Sequence, residues 1–232
     1  MIRVATWNVE WATPGTERGS RIQSVIQELD ADIFVLTEGS RELLPPGNVV
    51  DGGTDWGYVV KDATRRKVLI WSRFALRDVG SSLQGDAPPG RFVAATAETP
   101  IGDVRILGVC IPWRDAHVRS GRRDRKPWED HSLFLSALRI AVEQEPNPMV
   151  VAGDFNQRIP KGNQPLVVST QLSECFDAFE IPTGMVIDRP LIDHIAISKD
   201  LQSENLLVIP DHDSKGYLTD HRGAVVTISP SN

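Results

Sequence analysis

The chain has 232 residues, a formal net charge of −6 at pH 7, and 41% hydrophobic residues. This length is enough for one large domain with a substantial core, and we expect a single domain over residues 1–232. The acidic balance argues against a general nucleic-acid coat, which would be strongly basic, so a polyanion would have to be met by a local group of basic residues.

No apolar run is long enough to span a membrane. Residues 1–7 have the pattern of a first strand and lack the apolar centre of a signal peptide, so we expect a cytoplasmic protein without a membrane span. Cys110 and Cys175 lie far apart and match no metal-ligand spacing. We expect them to be small buried residues in a reducing compartment, with a structural disulfide as the alternative.

Strand-like runs dominate the chain. They cover residues 2–8, 32–37, 67–71, 92–96, 104–111, 149–152, 192–197, 206–209 and 224–228. Apolar residues at helical spacing predict one helix over residues 22–29 and a second over 134–142, and a short third helix is expected over 164–172. Many strands with irregularly placed helices predict an α+β fold with helices outside two packed sheets, rather than a doubly wound βαβ repeat.

The segment Gly153-Asp154-Phe155-Asn156 follows the apolar run of residues 149–152. Alternate side chains of a strand share a face, so Asp154 and Asn156 can point the same way from the end of a buried strand. A motif of this kind on its own is more often a turn. Its weight here comes from other polar residues in equivalent places.

Several other apolar strands also carry polar residues at their ends. Asn8 ends the first strand, Glu38 follows the second, and Asp193 and His194 sit inside the apolar run over 191–197. Asp220 and His221 precede the last strand. Burying one such group without a partner costs about 2 to 7 kcal/mol, so these side chains are expected to converge rather than to be scattered.

Five motifs in chain order carry a family resemblance. They are Trp7-Asn8-Val9-Glu10, Leu36-Thr37-Glu38, Gly153-Asp154-Phe155-Asn156, Ile192-Asp193-His194 and Thr219-Asp220-His221. Together they resemble the endonuclease/exonuclease/phosphatase superfamily, the DNase I-like group. The resemblance covers residues 8–221 and implies a four-layered α/β sandwich, in which two mixed sheets pack face to face between helices and the active site lies at one end.

The resemblance also implies a metal site and a set of catalytic roles. Glu38 would be the principal ligand of Mg²⁺ or Mn²⁺, with Asn8 as a second ligand and Asp220 adding a carboxylate directly or through water. Hard oxygen donors of this kind suit the charge neutralisation that phosphodiester hydrolysis needs.

The remaining implied roles concern the reacting water and the phosphate. Asp154 would position or deprotonate the attacking water, and Asn156 would hold a phosphate oxygen. Asp193 would accept a hydrogen bond from His221, which would act as general base or stabilise the charge of the transition state. By contrast, His194 is expected to be a packed strand histidine outside the site.

The end of the strand over 104–111 departs from the family pattern. Many members have a tyrosine, histidine or asparagine here that touches the scissile phosphate, whereas this chain has Cys110 and Trp113. Arg114 or His117 could replace that contact, and an ordinary surface loop is the alternative. A catalytic cysteine is not expected, because water is already the nucleophile.

Residues 119–126 carry five basic residues and one acidic residue. We predict that this segment binds substrate phosphates, with Arg122, Arg123 and Arg125 as the contacts. Basic residues at positions 61 and 65–67 would assist. The alternative is a solvated loop.

The predicted function is Mg²⁺-dependent hydrolysis of phosphodiesters in nucleic acid, by an endo- or exonuclease that acts as a monomer. The alternative is a phosphatase or phosphodiesterase for a small or lipid-linked phosphate ester, because the loops around a shared site decide the substrate. A binding module without catalysis is disfavoured, since it would have no physical reason to keep a set of buried charges.

Overall fold

The computed structural model describes residues 1–231. The helices are α1 Glu17–Glu28, α2 Glu129–Gln144 and α3 Leu166–Cys175. The strands are β1 Ile2–Asn8, β2 Ile33–Ser40, β3 Asn48–Asp51, β4 Arg65–Ser72, β5 Leu76–Gly80, β6 Phe92–Thr99, β7 Gly102–Cys110, β8 Met149–Asp154, β9 Phe179–Glu180, β10 Asp193–Ser198, β11 Leu201–Ile209, β12 His212–Asp213, β13 Gly216–Tyr217 and β14 Gly223–Pro230.

Twelve of these strands form two six-stranded sheets. Sheet A has the order β11-β14-β1-β2-β4-β3 and sheet B the order β5-β6-β7-β8-β10-β9, while β12 and β13 form a separate short hairpin. β1 and β2 are parallel, as are β7 and β8, and the other pairs in both sheets are antiparallel. Both sheets are therefore mixed.

The two sheets pack on each other through a buried apolar core, and helices cover their outer faces. The central core joins residues of both sheets, including Val4, Ile33, Ile106 and Val150. The outer face of sheet A packs against α1 through a second cluster that includes Ile22. A third cluster joins sheet B to α2 and α3. The predicted four-layered α+β sandwich is confirmed.

Local sequence explains where the first two helices start. The side chain of Thr16 accepts a hydrogen bond from the backbone N–H of Gly19 (3.0 Å) and so caps α1. α2 begins two residues after Pro127, and His131 lies in its first turn. None of the helices within residues 1–231 is both long and apolar enough to cross a membrane.

Every strand predicted from the sequence is present, but five short strands were not predicted. Of these, β3, β5 and β9 lie at the edges of the two sheets, and β12 and β13 form the separate hairpin. An edge strand pairs on one side only and is partly exposed, so it does not need the apolar run that identifies a central strand.

Strand direction brings the polar strand ends together. β1 and β2 run parallel in sheet A and end at Asn8 and Ser40, and β7 and β8 run parallel in sheet B and end at Cys110 and Asp154. β10 is antiparallel to β8 and therefore begins at the same end, with Asp193 opposite Asp154. The residues singled out from the sequence consequently lie at one end of the sandwich.

Candidate active site

Asn8 joins the two sheets at this end. Its backbone N–H donates to Asp193 Oδ2 (2.6 Å), and its side-chain amide donates to Asp154 Oδ2 (3.1 Å). Its own Oδ1 accepts the backbone N–H of Glu10 (2.9 Å). The residue is buried, so its backbone N–H and its side-chain amide together fix two carboxylates of sheet B from a strand of sheet A.

His221 and Asp193 form the predicted pair. The Nδ1–H of His221 donates to Asp193 Oδ1 (2.7 Å), and the Nε2 atom lies 3.7 Å from Asp220 Oδ1. Burial lowers the pKa of His221, but the carboxylates of Asp193 and Asp154 outweigh burial and raise that pKa to about 10. The imidazole is therefore a cation at neutral pH.

Asp154 is buried and held by its own strand end. It accepts hydrogen bonds from the backbone N–H of Asn156 (2.8 Å) and from the Asn156 amide (2.7 Å), while that amide also donates to the carbonyl of Ile111 (2.8 Å). Burial raises the pKa of Asp154 to about 7, and His221 opposes this rise. A carboxylate with this pKa can accept a proton from water near neutral pH.

Two unusual backbone conformations allow this arrangement. Gly153 has a φ of 141°, and a Cβ atom built on it would lie 1.9 Å from the carbonyl oxygen of Val109. Asn156 has a φ of 51°, in the left-handed region that asparagine tolerates. The conformation explains why a glycine and an asparagine flank the segment that carries Asp154.

Glu38 and Asp220 lie at the open side of the site. Glu38 lies directly after Thr37, the partner of Asn8 in the β1–β2 pairing, and its Oε1 accepts a hydrogen bond from Lys67 Nζ (2.8 Å). Partial desolvation raises the pKa of Asp220, although the side chain is 60% exposed; His221 opposes that rise, and the carboxylates of Glu10 and Glu38 add to it. Both side chains are less buried than Asp154 and Asp193.

The charges of the site favour a divalent cation. Four acidic side chains, those of Glu38, Asp154, Asp193 and Asp220, outnumber the two basic ones, Lys67 and His221. The donors left for a metal are oxygens, the ligands that Mg²⁺ and Mn²⁺ prefer. The residues present therefore fit the metal that the family resemblance implies.

A second grouping of metal-ligand types is also present. Potential donor atoms of Asp154, Asp193 and His221 lie within 4.8 Å of one another. However, the Nδ1–H of His221 already donates to Asp193, and the ring is protonated at neutral pH. A protonated imidazole has no lone pair free for a metal. The oxygens of Glu38, Asn8 and Asp220 are the other donors at this end of the sandwich that could hold a metal.

Two neutral histidines support the loop after β8. His194 donates from Nε2 to the carbonyl of Gln157 (3.1 Å) and accepts at Nδ1 from the Thr183 hydroxyl (2.9 Å). His131 donates from Nδ1 to the carbonyl of Pro112 (2.6 Å) and accepts at Nε2 from the Gln157 amide (2.8 Å). Gln157 follows Asn156 directly, so these histidines position the loop that carries Asn156.

The two histidines make a testable contribution to stability. Burial lowers the pKa of each to about 4 from an ordinary value of 6.5. The unfolded chain therefore takes up protons first as the pH falls, and stability is lost between about pH 6.5 and pH 4. Between pH 7 and pH 5 we expect each histidine to remove about 2 kcal/mol from the free energy of unfolding.

Urea unfolding at the two pH values measures this loss. We expect the variant His194→Gln to lose about 2 kcal/mol less than the wild type between pH 7 and pH 5. His212, which is exposed, supplies the control, because His212→Gln should keep the wild-type loss. Equal losses in all three proteins would contradict the neutral-histidine account.

Arg91 lies where the sequence departs from the family pattern and was not predicted. The residue is only 5% exposed, and its guanidinium donates from Nη1 to the carbonyl of Cys110 (3.3 Å) and to the Cys110 sulfur (3.7 Å). Within residues 1–231, it has no carboxylate partner within 4 Å. The sequence signal, a lone arginine at the start of an apolar strand, was too weak to single it out.

Both cysteines are buried and free. Burial raises the pKa of each thiol to about 12. Neither is therefore a nucleophile at neutral pH, and the expected buried cysteines, rather than a disulfide, are found.

The candidate phosphate contacts in the loop after β7 differ in their exposure to solvent. Trp113 is 49% exposed and Arg114 is exposed. His117 is buried, its Nδ1 is hydrogen-bonded to the carboxylate of Asp130, and its Nε2 has no hydrogen-bond partner. Burial lowers the pKa of His117, although Asp130 opposes this shift.

Two of the three predicted arginines are paired inside the protein. Arg125 Nε donates to Asp130 Oδ1 (2.8 Å), and Arg122 Nη2 lies 3.5 Å from the same oxygen. Asp130 is buried, so these arginines compensate its charge rather than extend into solvent. Arg123 is exposed, as are Arg119 and Lys126. Substrate binding by Arg122 and Arg125 stays a prediction. Arg123 is the one of the three whose side chain is exposed.

Comparison with known proteins identifies the class that this fold and site define. The model of the Endonuclease/Exonuclease/phosphatase family matches residues 5–221. The chain belongs to this family. No curated protein matches the chain in a comparison of sequences.

Solved structures share the fold at low sequence identity. The 3′ phosphatase NExo from Neisseria, bound to a product DNA hairpin, has a TM-score of 0.71 and 19% identity, over 98% of this chain and 99% of that one. An AP endonuclease from Archaeoglobus fulgidus has a TM-score of 0.68 and 15% identity, over 98% and 99%. These likenesses concern the fold, and the family itself supports hydrolysis of phosphoesters.

Proposed function

We propose that this protein is a divalent-metal-dependent phosphodiesterase that acts on nucleic acid. The observation that carries the proposal is the interlocked group of Asn8, Asp154, Asp193 and His221, in which each buried polar group has a defined partner. This arrangement places a protonated imidazole and a carboxylate with a pKa of about 7 in one site. Such a pair can remove a proton from water and stabilise charge on a phosphate.

The residues would divide the reaction between them. Asp154 accepts the proton of the attacking water, and Asn8 holds Asp154 in place. The Asn156 amide donates to Asp154 and to the carbonyl of Ile111, so it positions Asp154, and the role expected from the sequence, holding a phosphate oxygen, stays a prediction. His221, kept as a cation by Asp193, stabilises the negative charge that develops on the phosphoryl oxygens. Of the two roles considered for His221, its raised pKa favours charge stabilisation over that of general base.

The metal would lie beside these groups. Glu38 would be its main ligand, with the free lone pair of Asn8 Oδ1 and the carboxylate of Asp220 as further oxygen donors. When bound, a divalent ion would neutralise charge on the phosphate oxygens and help to position the substrate. Arg91, which has no carboxylate partner among residues 1–231, would add a buried cation next to Cys110 at the end of β7.

Nucleic acid is the substrate class that we favour. Structural relatives with this fold include, by their names, a 3′ phosphatase bound to a DNA hairpin, a 3′-5′ exonuclease and an AP endonuclease. The exposed cations Arg119, Arg123 and Lys126 follow the strand that ends beside Asp154. They can bind phosphates outside the cleaved bond.

A substrate panel tests this assignment. Plasmid DNA, abasic duplex, single-stranded DNA, RNA, inositol phosphates and sphingomyelin would be incubated with the protein and Mg²⁺. We expect cleavage of one of the nucleic acids at a rate at least about 100-fold above that of the Asp154→Asn variant. Cleavage of the inositol or lipid phosphates alone would replace the nuclease assignment with the small-phosphate one.

The exposed cations give a separate prediction about binding. If Arg119, Arg123 and Lys126 each neutralise one DNA phosphate, the log of the binding constant should fall with the log of salt concentration at a slope of roughly −0.9 per contact, or about −3 for the three. Replacing all three with alanine should flatten the slope by that amount and weaken binding to every sequence alike.

Binding would be measured with an Asp154→Asn background, so that the DNA is not cleaved. Lys199 supplies the control, because it is exposed and follows β10, whose opposite end carries Asp193. Lys199→Ala should leave the slope unchanged. Equal slopes for the wild type and the triple variant would return residues 119–126 to the solvated-loop interpretation.

A further inference from the structure

Lys67 and Glu38 form a cross-strand pair at the edge of the site. Thr37 of β2 pairs with Val68 of β4, and Gly39 pairs with Arg66, so Glu38 and Lys67 face each other. The Lys67 ammonium lies 2.8 Å from Glu38 Oε1. Lys67 is only 7% exposed, so its charge has left most of its hydration shell and depends on its protein partners.

Two indole rings fix the position of this ammonium. Its nitrogen lies 4.6 Å from the ring centre of Trp11 and 5.1 Å from that of Trp56. The two rings are themselves 5.3 Å apart. Contacts of a cation with aromatic faces are favourable, and they are stronger where water is excluded. The lysine therefore presents its charge from a defined place rather than from a flexible stem.

This position is unusual for a residue that only neutralises Glu38. In the proposed function, Glu38 is the main ligand of the metal. A cation bonded to a metal ligand reduces the attraction of that ligand for the metal. Because the Lys67 ammonium is bonded to Glu38 at the open side of the site, it lies beside the place where a metal held by Glu38 would meet the substrate phosphate.

We propose that Lys67 is a phosphate-binding residue of this active site. Its ammonium shares Glu38 with the divalent ion and donates a hydrogen bond to a non-bridging oxygen of the phosphate. A lysine in this place supplies the second positive charge that a second metal ion would otherwise supply, so the site holds one divalent ion. The inference rests on the proposed function and adds to it the residue that contacts the phosphate.

The proposal predicts opposite effects of one substitution on two properties. Lys67→Met keeps an unbranched stem between the indole rings but removes the charge. Metal binding should become tighter, by about fivefold or more, because Glu38 is released from a competing cation. Turnover should become slower, by about 30-fold, because a charge-assisted hydrogen bond to the phosphate is lost. A purely structural lysine would not move the two properties in opposite directions.

Calorimetric titration with Ca²⁺ measures affinity and the number of bound ions without catalysis, and hydrolysis with Mg²⁺ measures turnover. Arg65→Met is the matched control. Arg65 also lies over Trp11, at 5.1 Å, but it pairs with Asp62 rather than with Glu38. The control should keep the wild-type Ca²⁺ affinity. Lys67→Arg, which restores a charge, should recover part of the turnover and weaken Ca²⁺ binding again.

The outcomes separate this proposal from the proposed function. One bound ion in the wild type, with tighter Ca²⁺ binding and slower turnover in Lys67→Met, supports the proposal. Two bound ions in the wild type, or affinity and turnover that fall together or stay unchanged, overturn it. If the wild type hydrolyses no phosphate ester, the proposed function fails. In that case, Ca²⁺ binding by Lys67→Met that is unchanged or weaker overturns the role of Lys67 as well. Two bound ions in the wild type overturn the proposal without any variant, and Lys67→Gln, which also removes the charge, takes the place of Lys67→Met if that variant does not fold.

Discussion

Replacing Glu38 with glutamine should lower kcat more than about 1000-fold, because metal-ion catalysis contributes several kcal/mol to the lowering of the barrier. The substitution keeps the size of the side chain and an oxygen that can accept the hydrogen bond from Lys67. It removes the negative charge that the metal needs. Calorimetry with Ca²⁺ should show a corresponding loss of affinity.

The fold of this variant should be intact. Glu38 lies at the open side of the site and contributes no apolar surface to the cores, so the free energy of unfolding without metal should remain within about 1 kcal/mol of the wild type. Glu42→Gln is a suitable control, since Glu42 lies in the short helical turn after β2 and outside the site. Retention of Ca²⁺ affinity by Glu38→Gln would remove Glu38 from the metal site.

Replacing His221 with alanine should lower kcat by at least about 100-fold, the usual scale for a group that moves or stabilises charge in the transition state. The loss should persist at alkaline pH up to about 9, because the pKa of His221 is raised to about 10 and the imidazole is a cation below that value. Asp193→Asn should also lower kcat, through loss of the carboxylate that orients and charges the ring.

His221→Gln tests whether a structural loss explains the effect. Glutamine can still donate a hydrogen bond to Asp193, so the buried carboxylate is not left without a partner, but it cannot carry the charge. It should therefore be nearly as slow as His221→Ala. His212→Ala, at an exposed histidine, should keep the wild-type rate. Activity of His221→Ala near that of the wild type would contradict the assigned pair.

The sequence predicted the candidate site best where a polar residue stands at the end of an apolar strand. Asn8, Glu38, Asp154 and Asp193 each follow or begin an apolar run, and strand direction alone brings such ends together once the sheets form. The burial of His194 could be anticipated for the same reason, because its neighbours in the strand are apolar. Local pattern and family resemblance thus predicted the layers of the fold and the set of candidate residues.

Partners that are distant in sequence were not predictable in the same way. Asp130 was not singled out, and its burial, which draws in Arg122 and Arg125, depends on how the loop after β7 folds back on the start of α2. The pairing of Lys67 with Glu38 depends on the register of β4 against β2. A run of basic residues therefore gave the correct charges but not their distribution between the interior and the surface.

The most direct test of the account is a metal titration of hydrolysis. The protein would be treated with a chelator, dialysed, and assayed on a chromogenic phosphodiester and on DNA while Mg²⁺ or Mn²⁺ is added. We expect no turnover above that of Asp154→Asn before addition, and full recovery of both activities as the ion saturates the site. Full activity after exhaustive chelation would contradict the central claim that Glu38, Asn8 and Asp220 hold a divalent ion needed for hydrolysis.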